Sequence, residues 1–413
     1  MKRMLLVVTL LWSTTSTAHP LHASAVRIDL HDDVVTLQLV MPLTQLQLAL
    51  PVTLDAAVLA RDGDRLAAYV LQSTSLTAPG GRPFTIAVDR KRLRLDRVDD
   101  ADQVLVDVVA TPPAGASTRA FTLRETAIVD RVDNHRIYVE LRNDFAGGVL
   151  KGAALIGVLD HSKDSVVVER GQGSWTAGFH AVFALGVHHI ADGTDHLLFL
   201  LVLLLPASLL ARGGRWREPT SLSSSVRRIV GVVTAFTIGH SITLVMASLQ
   251  VVTAPSQVVE TIIALSILAS AVHAITPLFV GREAVVAAVF GLVHGLAFAT
   301  VLAELGVRGA SLVLSLLAFN FGIECMQLVV VAVTMPWLVL LARTRLGRPV
   351  RVVVAVLAAV AAVAWAIERI FAVMTPVTVL VEQVAAQAPW LVALLAVTSL
   401  AATRRERRRR AGW

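Results

Sequence analysis

Cysteine is almost absent. Cys325 is the only one in 413 residues, so the chain can form no internal disulfide and no Cys-x-x-Cys metal or redox pair. Cys325 lies in an apolar run and reads as a packing residue. Charge is also scarce. Asp, Glu, Lys and Arg make up 16% of the chain, 55% is hydrophobic, and the mean hydropathy is +0.69. A soluble domain carries about 25% charged residues, so an ordinary soluble protein is excluded. No P-loop sequence is present, which excludes a built-in ATPase of that type. The net charge of +7 makes no case for nucleic acid. Residues 19–172 hold 17 Lys/Arg against 20 Asp/Glu, and the rest of the chain holds 20 against 10. The excess therefore sits beside apolar segments, as arginine clusters.

Lys2 and Arg3 precede an apolar run, Met4 to Trp12, that is too short to span a bilayer. Ser16-Thr17-Ala18 then fits a small-x-small cleavage site. Residues 1–18 are expected to be a signal peptide. The mature chain would open His19-Pro20-Leu21-His22, either a terminal metal ligand set or a flexible end. Residues 19–170 are expected to form an all-β, sandwich-like extracytoplasmic domain. Val26, Ile28 and Leu30 alternate with polar residues, as do Val35, Leu37 and Leu39, and Val104, Val106 and Val108. That period of two marks half-buried strands. Turn residues separate them at Asp62-Gly63-Asp64, Pro79-Gly80-Gly81 and Pro112 to Gly115. One helix is expected near Leu54 to Leu71. His31, His135 and His161 are isolated and read as surface or turn residues.

The composition changes near Gly171. Residues 171–403 are expected to form an α-helical polytopic membrane domain, with 404–413 a basic cytoplasmic tail. Apolar segments fall near 193–211, 228–250, 257–280, 283–305, 311–342, 350–373 and 387–402, against a need for about 20 residues per crossing. A helix over 173–190 leads into the first. The last segment is short, which leaves six as the alternative count. Arginines alternate between successive loops: Arg212, Arg215, Arg217, Arg227 and Arg228 in the first, Arg282 in the third, and Arg343, Arg345, Arg348 and Arg351 in the fifth. The even loops carry only Arg308, and Arg369 lies just inside a segment. With the positive-inside rule, seven crossings of the bacterial inner membrane put the N-terminal domain outside and the C-terminus in the cytoplasm.

Ionisable side chains inside these segments cost about 2.5–3.5 kcal/mol each at the bilayer centre, so they are functional candidates by default. The densest group is His189-Ile-Ala-Asp192-Gly-Thr-Asp195-His196, with His188 before it. On one helix His189, Asp192 and His196 would share a face. Imidazole nitrogen with carboxylate oxygen suits Ni²⁺, Co²⁺ and Zn²⁺. His240, Glu260, His294, Asn320 and Glu324 follow in later segments, with Gln327 beside the last. Depth along each segment places His196 and Glu260 near the outer surface and His240, His294, Asn320 and Glu324 nearer the midplane, as an entry site and a deeper site. Glycines beside His240 and His294 would let helices approach closely. Each of these residues would also serve in an interhelical hydrogen-bond network without a metal. His273, nearer the cytoplasmic end, reads as a packing or gating residue.

The ordered set His189-x5-Asp195-His196-Leu-Leu-Phe-Leu-Leu, Thr237-Ile-Gly-His240-Ser, Glu260-Thr-Ile-Ile-Ala-Leu-Ser, Phe290-Gly-Leu-Val-His294-Gly and Phe319-Asn-Phe-Gly-Ile-Glu324-Cys-Met-Gln327 resembles the HupE/UreJ family of membrane proteins, in a long form with a secreted N-terminal domain. The resemblance covers about residues 173–342. It departs from the shorter members at Ile190, where they typically have proline, and in carrying the N-terminal domain. It implies a nickel or cobalt permease. In that reading His189, Asp192, Asp195 and His196 capture the ion, and His240, Glu260, His294, Asn320 and Glu324 pass it inward. No cofactor is built in; the metal is cargo. The other expected partners are the lipid bilayer and a protein bound by the outer domain. Two other readings stay open: a membrane-embedded zinc hydrolase using Ser241 beside His240, and a non-transporting assembly or sensor protein.

Overall fold

The computed structural model describes residues 23–50, 56–98, 101–150, 152, 154–249, 251–304 and 309–411. The expected signal peptide, His19 and His22 lie outside them. The chain divides into two compact units: residues through Asn143 with Gly152–Gln172, and Asp144–Lys151 with Gly173–Trp413.

The first unit is rich in strands. Its elements are β1 (Ser24–Leu30), β2 (Val35–Pro42), α1 (Leu43–Ala49), α2 (Ala56–Ser73), β3 (Thr74–Thr77), β4 (Thr85–Val88), β5 (Arg94–Val98), β6 (Ala101–Thr111), β7 (Ala120–Glu125), β8 (Ile137–Asp144), β9 (Ala154–Leu159) and β10 (Ser165–Glu169). An antiparallel sheet runs β4-β6-β2-β1-β8-β9, with β5 also on β6, and a second runs β10-β7-β3. Register follows the hydrophobic pattern. Ile28 pairs with Leu37 and Leu37 with Val108, and all three are buried. A one-residue slip would turn each of them to the opposite face, where Arg142 Nε donates to Asp29 Oδ1 at 2.8 Å and Gln38 Nε2 to Asp107 Oδ1 at 3.1 Å. Helix α2 covers residues 56–71 of the segment expected to be helical, and Leu54 lies outside the described residues.

Glu125, at the end of β7, is buried. Burial pushes its carboxyl up to about 7, against hydrogen bonds from Thr74 Oγ1 at 2.6 Å and the Ala127 N–H at 2.9 Å. The folded chain therefore keeps a proton that the unfolded chain releases near pH 4.5. Stability from this group is complete below that pH, falls as pH rises to about 7, and is flat above. The loss is about 3 kcal/mol. Hydrogen-exchange protection of β6 and β7 is expected to drop from pH 5 to pH 8, after correction for intrinsic exchange. Glu125→Gln should flatten that dependence, and an unchanged slope would refute the assignment.

The second unit is helical: α3 (Trp175–Ala191), α4 (Thr194–Ala207), the hairpin β11 (Leu209–Arg212) and β12 (Arg215–Pro219), α5 (Leu222–Ser248), α6 (Ser256–Ile275), α7 (Glu283–Glu304), α8 (Gly309–Ala342), α9 (Gly347–Phe371), α10 (Pro376–Ala385) and α11 (Ala388–Ala411). Each of the seven apolar segments contains a helix, but the first, expected over 193–211, leaves its helix at Ala207 and ends in β11, and the third, expected over 257–280, leaves its helix at Ile275. By length and composition α5, α6, α8 and α9 each suffice to cross a membrane. Two bent pairs, α3 with α4 (64°) and α10 with α11 (69°), raise the number to six if each is one span. Helix α4 has 14 residues, about 21 Å at 1.5 Å per residue, and does not reach across 30 Å of hydrocarbon without α3. The described apolar part of α7, Glu283–Ala297, is shorter than a full crossing. Helix α11 carries the expected tail: its apolar start runs into the arginine-rich end without a break.

Two glycine crossings set the helix spacing. Gly239 of α5 meets the Ala288 carbonyl of α7, and Gly291 of α7 meets the Phe236 carbonyl of α5. Gly186 of α3 and Gly322 of α8 meet the carbonyls of Phe319 and Phe183. A methyl group at any of the four would collide with backbone, which has no rotamer to yield.

Candidate metal centre

Helix α3 stops at Ala191, Asp192 caps it, and α4 restarts at Thr194. Gly193 makes this turn possible, because a methyl there would strike the His189 carbonyl oxygen. The turn brings the last turn of α3 against the first turn of α4. His189 and His196 meet with ring centroids 4.5 Å apart. The crossing of α5 and α7 then brings in the other histidines. His240 from α5 lies 6.1 Å from His189, and His294 from α7 lies 5.2 Å from His196. Four histidines from four helices form one cluster rather than an outer and a deeper tier. Phe199, Phe236 and Phe319 wall it, with ring centroids 5.1–6.5 Å from His240 and His294.

Asp195, His196 and His294 bring ligand atoms within 4.8 Å of one another. Their hydrogen bonds fix which nitrogens are available. His196 Nδ1 donates to Asp195 Oδ1 at 2.9 Å, which leaves the Nε2 lone pair outward. The Ser266 hydroxyl commits its proton to the Ile263 carbonyl at 2.7 Å and so accepts from His294 Nε2 at 3.2 Å. His294 therefore presents Nδ1. His196 Nε2, His294 Nδ1 and both nitrogens of His240 are buried without a hydrogen-bond partner among the described residues. Buried polar atoms are normally satisfied, and imidazole lone pairs beside a carboxylate answer to a borderline divalent ion. Ser266 holds His294 in one tautomer, as the outer partner of a metal-bound histidine would, and the hydrogen bond to Asp195 does the same for His196. Ser266→Ala is expected to weaken metal binding about 10- to 100-fold, read by titration calorimetry. Affinity within threefold of wild type would show that Ser266 does not position His294.

The remaining expected residues lie elsewhere. Asp192 is outside the cluster: its side chain is 77% exposed and 3.4 Å from His188 Nδ1. The break at Gly193 removes the single face it was expected to share with His189 and His196. Glu260 pairs with Arg369 Nε at 2.5 Å and is partly exposed. Glu324 accepts from Thr234 Oγ1 at 3.0 Å, and Gln327 Oε1 from Thr237 Oγ1 at 3.1 Å. These four make a polar layer between α5 and α8. Asn320 Nδ2 donates to the Leu316 carbonyl at 2.8 Å, and its Oδ1 is buried without a partner among the described residues. His273 accepts from the Leu278 N–H at 3.0 Å and stacks on Phe279, a packing role. Sequence reasoning missed Ser266, Thr234 and Thr237. Thr237 stands three residues before His240, on the same face of α5, and that spacing was the available signal. Nothing in the sequence links Ser266 to a histidine 28 positions away.

Apolar helices, four of them long enough to cross a membrane, together with a buried histidine–carboxylate cluster define a polytopic membrane protein. The model of the HupE / UreJ protein family matches residues 162–369, half of the chain, and the chain belongs to the HupE/UreJ family. No curated protein and no solved structure matches it.

Proposed function

We propose that this protein is a permease for a divalent transition metal, nickel before cobalt or zinc. The observation that carries the reading is the cluster of Asp195, His196, His294, His189 and His240, in which nitrogens of His196, His294 and His240 are buried without a hydrogen-bond partner among the described residues. Membership in a family associated with nickel and cobalt transport supports it. We assign the coordinating role to these five residues. The exposed Asp192 and the partly exposed Glu260 are the carboxylates of the approach, and Asn320 and Glu324 the polar layer on the way inward. Seven crossings would place the strand-rich domain outside and the C-terminal arginines in the cytoplasm. A membrane potential then drives a divalent cation inward by roughly 2.3 kcal/mol per charge per 100 mV, doubled for two charges. The hydrolase reading draws no support from Ser241, whose hydroxyl donates to the Thr237 carbonyl at 2.7 Å.

The test is cellular metal content by mass spectrometry. Cells expressing the wild type or the His189→Ala/His196→Ala double variant, at matched protein level, are supplied separately with nickel, cobalt and zinc. A rise in one metal that the double variant abolishes is the expected result. Unchanged content for all three metals would defeat the transport reading.

A further inference from the structure

The arginines at the junction of α8 and α9 surround a cavity that the metal site does not use. Its volume is about 250 Å³, and it is lined from α4, the β11–β12 hairpin, the end of α8 and the start of α9. The charged lining is Arg217, Arg345, Arg348 and Arg351, with no carboxylate among the lining residues. Arg351 is the distinctive member. It is only 7% exposed, and its Nε and Nη1 have no hydrogen-bond partner among the described residues. A guanidinium withdrawn from water without a partner is unfavourable. The same group presents a rigid fork of donors that matches phosphate oxygens. Among the described residues Arg345 has only a long contact to Glu406, at 3.8 Å. Trp216, on one wall, is tied by its Nε1–H to the His273 carbonyl at 2.9 Å, so its ring holds the wall in place.

We propose that this cavity binds an anionic phosphate group, either free phosphate or the headgroup of an anionic phospholipid. The site differs from the metal cluster in both charge and chemistry: its charged groups are all guanidinium donors, and its lining holds no imidazole. It also stands among the arginine-rich loops assigned to the cytoplasmic face, where basic pockets between membrane helices suit anionic headgroups.

The test is native mass spectrometry of the full-length protein in detergent, with cardiolipin, phosphatidylcholine and inorganic phosphate added separately. Retention of cardiolipin over phosphatidylcholine by tenfold or more is expected, and Arg351→Gln should abolish it. Arg351→Lys keeps the charge but not the fork and should retain part of it. Competition by millimolar inorganic phosphate would identify a free-phosphate site, and preference without competition a headgroup site. Equal retention of both lipids with no phosphate binding would overturn the proposal. So would a preference unchanged in both Arg351→Gln and Arg348→Gln. Arg348 is exposed, so its variant carries the comparison if Arg351→Gln does not fold.

Discussion

Replacing His294 with alanine is expected to weaken divalent metal binding on the order of 100-fold or more, beyond what the outer partners of a metal site contribute. His294 is buried between Phe199 and Phe236, and Ser266 turns its Nδ1 toward His196 and Asp195. Removing the ring takes away one of the three residues whose ligand atoms lie within 4.8 Å of one another and leaves the others facing a gap. Calorimetric titration of the purified protein with nickel measures the loss. Glu260→Gln is the contrast. Glu260 lies outside the cluster in an ion pair with Arg369, and the change should alter affinity less than threefold. Equal losses from the two substitutions would place the site elsewhere. Because His294→Ala also opens a cavity, the melting temperature of each variant is measured beside its affinity.

Gly291→Ala is expected to cost about 3 kcal/mol or more of stability, at the top of the range for overpacking. The added methyl meets the Phe236 carbonyl oxygen and the His240 nitrogen. Both are backbone atoms, so relief requires α5 and α7 to separate. That separation draws His240 and His294 apart, and metal affinity should fall together with the melting temperature. Gly231→Ala on α5 is the control, since nothing lies within 4 Å of the position where its Cβ would sit. It should be neutral or stabilising by up to about 1 kcal/mol through helix propensity. A Gly291→Ala protein that melts with the wild type would refute the close crossing.

Much of this was legible because hydropathy acts locally. Each apolar segment holds a helix over most of its length, and the alternating valines and leucines of β1, β2 and β6 form strands, since burial of one face decides both. His240 and His294 were recognisable as a pair by the glycine beside each, which the crossing of α5 and α7 uses. Three features needed the third dimension. Asp192 points away because the chain turns by 64° at Gly193, and helical spacing applies only while a helix continues. Helix α4 is short because the hairpin β11–β12 follows it, where the apolar segment had been read on to residue 211. Ser266 fixes a histidine of another helix, and no local pattern encodes that.

The most direct test of the central claim is X-ray absorption at the nickel edge of the purified, nickel-loaded protein. Two or more imidazole nitrogens together with oxygen ligands, with the imidazole count reduced in His196→Ala and in His294→Ala, is the predicted result. A spectrum without imidazole, or one that neither substitution changes, would show that the buried histidine cluster is not where the ion binds.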